Sequence, residues 1–183
     1  GIRDKLVTGV QTCALPIYRR WLDPKAHKLI HLAVREQGLF VNPGNPLGIE
    51  AITDLARDHV RFVNRQAGSG TRTLLELLLE RQSILPSQVS GFENTEFTHS
   101  AVAAFIASGM ADVGFGVQTA AERFKLDFIP LVRERYFFAV KSETLEQPQM
   151  KQLVSVLCSS SFRDAVNQLP GYDASDTGKI LTL

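Results

Sequence analysis

The chain has 183 residues, which is enough for one domain or for two small lobes that each bury a core. Its hydrophobic share of 44%, charged share of 21% and formal net charge of +1 are ordinary for a soluble globular protein and give no sign of a nucleic-acid surface. No apolar run is long enough to span a bilayer, and the two cysteines, Cys13 and Cys158, suggest neither a metal cluster nor a disulfide framework.

The first 17 residues look foreign to the rest of the chain. Residues 7–17, VTGVQTCALPI, resemble the translated read-through of a sequencing-adapter oligonucleotide, and residues 1–6 are suspect with them. The alternative is a natural N-terminal strand. We predict that residues 1–17 are a non-native, adapter-derived segment and exclude them from fold reasoning, so the natural N-terminal region is missing. Deleting these residues is expected to leave the thermal stability unchanged.

From Tyr18 onward, strand and helix patterns alternate. Residues 25–35 predict the end of a helix or the approach to a strand, and they contain His27 and His31 at the i, i+4 spacing of zinc ligands without a visible third ligand. The further predicted strands are residues 38–41, 61–63, 89–92, 110–116, 126–131 and 133–140. The further predicted helices are residues 49–56, 73–80, 101–109 and 119–124, with two more after residue 147. This alternation predicts an α/β fold with a mainly parallel sheet.

Residues 64–72, NRQAGSGTR, follow a strand and precede a leucine-rich helix. Gly68 and Gly70 permit a sharp turn, and the first helical turn leaves N–H groups unpaired at the positive end of the macrodipole. Two hydroxyls and two guanidinium groups add further donors: Ser69, Thr71, Arg65 and Arg72. We predict that this turn holds a small oxyanion. The alternative is an ordinary N-cap loop, with the arginines paired to carboxylates.

A second polar turn, residues 93–100, opens the helix predicted at residues 101–109. Thr98 or His99 lies near its N-cap; capping alone explains Thr98 slightly better than ligand contact does, and His99 suits capping or packing equally well. In open α/β sheets, ligands bind beyond the carboxyl ends of the strands. Both turns occupy such positions, so the two helix N-termini are predicted to clamp one anion.

Residues 29–141 resemble the substrate-binding-protein-like domain of molybdate-responsive bacterial transcriptional regulators. The matching pieces, in family order, are REQGLFVNPGNPLGI, DLA, RFVNRQAGSGTR, THSAVAAFIASGMADVGFG, AAERF and LDFIPLVRERY. The resemblance implies an α/β fold like that of type II periplasmic binding proteins, in which two lobes are joined by two crossing strands and the ligand lies in an interlobe cleft.

The resemblance also implies where the lobes lie in the chain. A partial first lobe would combine residues 18–60 with 135–183, and the second lobe would be residues 61–134, with crossings at 61–65 and 132–138. The first strands and helices of the N-terminal lobe are absent, so that lobe is expected to be truncated. Tyr136 would lie at the hinge, where its hydroxyl reaches the cleft or its ring is simply buried. The predicted ligand-binding residues are Asn64, Arg65, Ser69, Gly70, Thr71, Arg72, Thr98, His99, Ser100 and Tyr136.

The implied function is the sensing of molybdate or tungstate by a cytoplasmic ligand-binding domain, with no cofactor or metal beyond that oxyanion. DNA would be contacted only through a helix-turn-helix domain ahead of the chain; no membrane partner is implied, and a homodimer is compatible with the resemblance. The alternative is an exported, periplasmic solute-binding protein of an oxyanion ABC transporter. An enzyme is not expected, because no Ser/His/acid or Cys/His constellation is visible, and Cys158 is expected to be buried in an apolar helix.

Overall fold

The computed structural model describes residues 22–183, and the segment predicted to be non-native lies outside them. The strands and α-helices alternate along most of the chain; in order they are β1 (His27–Val41), β2 (Phe62–Arg65), α1 (Gly70–Arg81), β3 (Thr95–Glu96), α2 (His99–Ala107), β4 (Val113–Val117), α3 (Gln118–Arg123), β5 (Asp127–Lys141), α4 (Pro148–Cys158), α5 (Ser160–Asn167), β6 (Tyr172–Asp173) and β7 (Ile180–Thr182). Short 3-10 helices lie at Ile52–Ala56, Pro86–Gln88 and Ser142–Glu146.

The described chain divides into two compact units. Unit 1 is Gln37–Leu131, and unit 2 combines residues 22–36 with Val132–Leu183. β1 and β5 each contribute residues to both units, so the chain passes from one to the other within these two long strands.

This division differs from the lobes inferred from the sequence. Residues 37–60 belong with the unit that contains the central turn rather than with the other one. Residues 61–65 were expected to be a crossing, but they lie inside unit 1, because β2 pairs with β3 on one side and with β4 on the other. The chain instead crosses first within β1, after residue 36.

Unit 1 is built on four strands in the order β3-β2-β4-β1. β2 is parallel to β3, with Asn64 opposite Thr95, and parallel to β4, with Val63 opposite Gly114. β1 is antiparallel to β4. The sheet is therefore mixed, and it is parallel where the two predicted binding turns leave it.

The core of unit 1 fixes the helices that follow those turns. Every residue of β4 is buried, which requires cover on both faces of the sheet. Gly114 lets α2 approach closely, because a Cβ there would lie 2.5 Å from Val102 Cγ1 and 2.8 Å from Ile106 Cδ1. On α1, the leucine-rich helix predicted from the sequence buries Leu74, Leu75 and Leu79, and Leu77 and Leu78 are half-buried.

Unit 2 uses β1 as a shared strand. β1 is antiparallel to β6, with Val34 opposite Asp173, and antiparallel to β7, with Leu29 opposite Leu181. Its buried apolar residues are few: Leu29, Ile30, Ala33, Val132, Leu157 and Ala174. Among the residues that the structure describes, no helix of either unit has the length and apolarity needed to cross a membrane.

Of the two alternatives for residues 25–35, the approach to a strand is confirmed, because residues 27–35 are the first part of β1. Two other local predictions were wrong. Residues 89–92 form a turn instead of a strand. Gly91, at φ +86°, closes that turn with its carbonyl accepting from Asn94 N at 2.9 Å, and the strand follows at β3. The two strands predicted on either side of residue 132 are one continuous strand, β5.

Candidate functional site

Two turns leave the carboxyl edge of neighbouring parallel strands. Arg65 at the end of β2 lies opposite Glu96 at the end of β3. Gln66 N donates to Glu96 O at 3.1 Å, and Arg65 Nη2 donates to Phe97 O at 2.9 Å. α1 and α2 therefore start at the same edge of the sheet, after turns that are directly hydrogen-bonded to each other. Strand pairing produces the arrangement of adjacent helix N-termini that the sequence predicted.

The start of α1 is only partly capped. Gly68 adopts φ +82°, which turns the chain toward the helix, and Ser69 is the N-cap, with its Oγ accepting from Arg72 N at 3.2 Å. Within residues 22–183, no acceptor contacts the backbone N–H groups of Gly70 and Thr71 or the Thr71 hydroxyl. A serine hydroxyl that accepts one hydrogen bond still has its own proton to donate. The helix start therefore keeps several donors for a ligand.

The start of α2 repeats this arrangement. Thr98 is the N-cap, and its Oγ1 accepts from Ala101 N at 3.0 Å. The Ser100 amide and hydroxyl make no hydrogen bond with any described residue. His99 is half-buried above β4, where a Cβ on Gly116 would lie 2.6 Å from its Nδ1. The capping alternative for Thr98 is therefore confirmed, and ligand contact through its hydroxyl proton stays a prediction.

Asn64 and Arg65 brace the two turns. Asn64 is 2% exposed, donates to Phe92 O at 3.2 Å and accepts from Arg65 N at 2.9 Å. Arg65 holds the second turn through Phe97 O and donates to Gln66 Oε1 at 3.2 Å. Asn64 therefore supports both turns through its side chain, and its contact with a ligand stays a prediction.

Arg72 follows the structural alternative. Its Nε lies 2.9 Å from Glu76 Oε1, its Nη2 lies 3.5 Å from Glu93 Oε1, and its guanidinium carbon stacks 4.8 Å from the centroid of Phe92. Two carboxylates thus offset its charge. The positive end of the helix and neutral N–H and O–H groups remain the principal attraction for an anion at α1.

Tyr136 belongs to unit 2, in β5, whereas the other nine predicted residues belong to unit 1. Its ring is 45% exposed, so the alternative of a buried aromatic is wrong, and Arg35 stacks on it at 4.5 Å from the ring centroid. Arg35 Nε also lies 2.7 Å from Glu134 Oε2. Burial acts to lower the pKa of Arg35, but the charge and hydrogen bond of Glu134, with help from Tyr172, outweigh burial and raise that pKa.

Two features of unit 1 were not found from the sequence. The Arg61–Asp112 pair ties the start of β2 to the start of β4, with Asp112 Oδ2 accepting from Arg61 N and Nε at 2.9 Å each and Oδ1 lying 2.7 Å from Nη2. Phe97, beside Thr98, is 74% exposed. The strand glycines 114 and 116 were a signal for the close approach of α2, since glycine inside a strand often marks one.

The remaining candidates do not form a second site. Within residues 22–183, no group of three or more His, Cys, Asp or Glu side chains is placed to hold a metal ion. Cys158 is exposed, so the prediction that it is buried was wrong; it lies at the end of α4, a helix that buries only Leu157.

The family model of the PBP superfamily domain matches residues 7–158. The chain belongs to the PBP superfamily. The match begins inside the segment that the sequence marked as foreign. Among relatives of this PBP-superfamily chain, YvgK of Bacillus subtilis, itself uncharacterised, is 36% identical over 168 residues, which are 91% of this chain and 53% of YvgK. The chain thus spans about half the length of that relative.

Solved structures of binding proteins share the fold. The substrate-binding domain assigned to a molybdenum ABC transporter from Clostridium difficile is 18% identical, with a TM-score of 0.56 over 79% of this chain and 66% of its own. An ABC-type phosphate transport receptor from Vibrio cholerae is also 18% identical, with a TM-score of 0.58 over 81% of this chain and 72% of its own. These likenesses confirm the predicted α/β fold of the periplasmic-binding-protein-like kind.

Proposed function

We propose that this chain binds a small oxyanion at the helix starts of unit 1 and acts as a sensor without catalytic activity. One observation carries the proposal: α1 and α2 begin at the same sheet edge, and both leave backbone and hydroxyl donors unengaged. A tetrahedral dianion needs many donors, and the helix macrodipoles favour negative charge at this end.

The charges around these donors fit the proposal. Glu93 lies 3.5 Å from the guanidinium of Arg72, which offsets the charge of its carboxylate. The unengaged groups are donors: the amides of Gly70, Thr71 and Ser100, and the hydroxyls of Thr71 and Ser100. Neutral donors of this kind bind a fully ionised oxyanion by geometry and do not need a lysine or arginine as counter-ion.

For the ligand and the biological role, we propose molybdate or tungstate sensing in a cytoplasmic transcriptional regulator. This rests on the NRQAGSGTR and IASGMADVGFG stretches and on the fold shared with a molybdenum transporter domain. DNA would be bound by a helix-turn-helix domain outside this chain. The alternative, an exported solute-binding protein, is favoured by the two transporter proteins among the solved structures.

Calorimetry tests the binding site. Molybdate, tungstate, sulfate and phosphate are titrated into this chain and, in parallel, into the longer relative YvgK. We expect an oxyanion to bind, and Ser69→Ala and Thr71→Ala in this chain to weaken the preferred anion by about 1–3 kcal/mol each, the usual loss for hydrogen bonds to a charged group. Ser108→Ala is the matched control, because Ser108 lies at the opposite end of α2. Unchanged affinity in both site variants would remove these turns from the site.

The complete reading frame separates the two roles. A helix-turn-helix domain ahead of the binding domain supports the regulator, whereas a secretion signal supports the transporter component. Binding of an oxyanion is expected in either case, so this test is independent of the calorimetry.

A further inference from the structure

His31 is the buried histidine of unit 2. Its side chain lies in β1 and the residue is 2% exposed. The ring meets Phe137 of β5 edge to face, with centroids 5.2 Å apart and an interplanar angle of 84°. No residue of the described chain forms a hydrogen bond with Nδ1 or Nε2. An imidazolium there would lose its hydration without gaining a partner, so the ring is held neutral.

The backbone of the same residue holds the C-terminal segment, which we define as residues 176–183. His31 N donates to Lys179 O at 2.9 Å, and Gly178 N donates to His31 O at 2.8 Å. The pairing of β7 with Lys28–Ile30 lies on one side of these bonds, and the bond from Thr177 Oγ1 to Leu32 O, 2.6 Å long, lies on the other. The attachment of the segment to β1 is therefore centred on His31.

Four charged side chains from the neighbouring elements act on the ring. Burial is the largest influence and lowers the pKa of His31; Asp176 and Asp173 act to raise it, and Arg135 and Lys179 act to lower it. Asp176 is paired with Lys179 at 2.6 Å. Asp173 is paired with Arg133 at 3.1 Å. Each carboxylate is thus already engaged in an ion pair, and neither forms a hydrogen bond with the ring.

We propose that His31 is an acid-sensitive latch, and that protonation of its ring releases the C-terminal segment from β1. In this proposal, opening of the segment hydrates the ring, which then titrates near the ordinary histidine pKa of about 6.5. When the segment is closed, the pKa lies below that value. Above about pH 6.5, the opening equilibrium is therefore independent of pH. Below about pH 6.5, it shifts toward the open segment by up to about tenfold per pH unit. This shift ends when the pH reaches the pKa of His31 in the closed form.

Hydrogen exchange of the full chain tests the latch, with rates corrected for the intrinsic effect of pH. Between about pH 7.5 and about pH 5, the protection of residues 176–183 and of the His31 amide should fall by up to about 30-fold, while the strands of unit 1 keep theirs. His31→Phe should remove this acid response. His59→Phe, at an exposed position in unit 1, is the matched control and should retain it.

An acid response that persists in His31→Phe overturns the proposal, as does loss of protection throughout unit 2 at once. A second measurement does not depend on the variant: NMR titration of the wild-type His31 ring. A pKa below about 6.5, with the segment's amide signals shifting along the same curve, supports the latch. A ring that titrates at or above that value contradicts it.

Discussion

At the scale of single residues, the hydroxyls at the two helix starts fall into two classes. Ser69 and Thr98 accept a hydrogen bond from the third helical amide and so contribute to helix stability. Thr71 and Ser100 make no such bond with the described residues, so their hydroxyls add nothing to the caps. Removing a cap should affect stability, and removing the half-buried Ser100 hydroxyl should affect binding alone.

This difference can be measured without knowing the ligand. Ser69→Ala and Thr98→Ala should each lower the free energy of unfolding by about 1 kcal/mol, the usual cost of losing an N-cap. Ser100→Ala should change it by less than about 0.5 kcal/mol, because no hydrogen bond is lost. Urea unfolding of the unliganded chain gives all three values. A stability loss for Ser100→Ala equal to that of the cap variants would show that its hydroxyl is engaged after all.

At the scale of secondary-structure elements, the site depends on β2 and β4 lying in register. The Arg61–Asp112 pair joins their starts, and Asp112 N also donates to Arg61 O at 2.8 Å. The hydrogen bond from the Arg61 side chain is the main cause that lowers the pKa of Asp112, and it outweighs the opposing effect of partial burial. A carboxyl whose folded pKa is lowered stabilises the fold above its unfolded pKa and loses that contribution as the pH falls through the folded value.

Asp112→Asn should therefore lower the free energy of unfolding at neutral pH and leave it unchanged in strong acid. We expect a loss of about 0.5–1 kcal/mol near pH 7, since Arg61 is half exposed and solvent screens the pair. The wild type should lose this advantage as the pH falls below about 3.8, the unfolded pKa of aspartate. Urea unfolding of the wild type and of Asp112→Asn, near pH 7 and again well below about pH 3.8, measures the stability difference at each pH. A stability difference that is the same at both values would contradict the role of the ionised carboxyl.

Much of this element order was predictable from local pattern. The leucine-rich sequence of α1 and the polar residues at the two helix starts are local signals, and both helices were predicted from them. β1 and β5 were misread because their extent is set by pairing partners far away in sequence, such as Ile30 with Ile180. The contact of Arg72 with Glu93 was left open for the same reason, because Glu93 lies 21 residues away and is brought close by the fold.

At the scale of the whole molecule, the two units differ in how much core they bury. Most of the buried apolar side chains belong to unit 1. They include residues of β4 and of α1 and α2, the two helices that carry the candidate site. Unit 2 has a small core and several exposed apolar side chains, including Phe138, Val156 and Ile180. The helix starts of unit 1 should therefore be more rigid than the edge strands of unit 2.

The most direct test of the central claim is an NMR titration of the isotopically labelled chain with molybdate and with sulfate. If an oxyanion binds at the two helix starts, the amide protons of Gly70, Thr71 and Ser100 should shift downfield together and saturate along one curve, because they become hydrogen-bonded to a charged acceptor. The amide of Ser108, at the far end of α2, should stay unchanged. Saturating shifts elsewhere in the chain, with these three amides unaffected, would contradict the account.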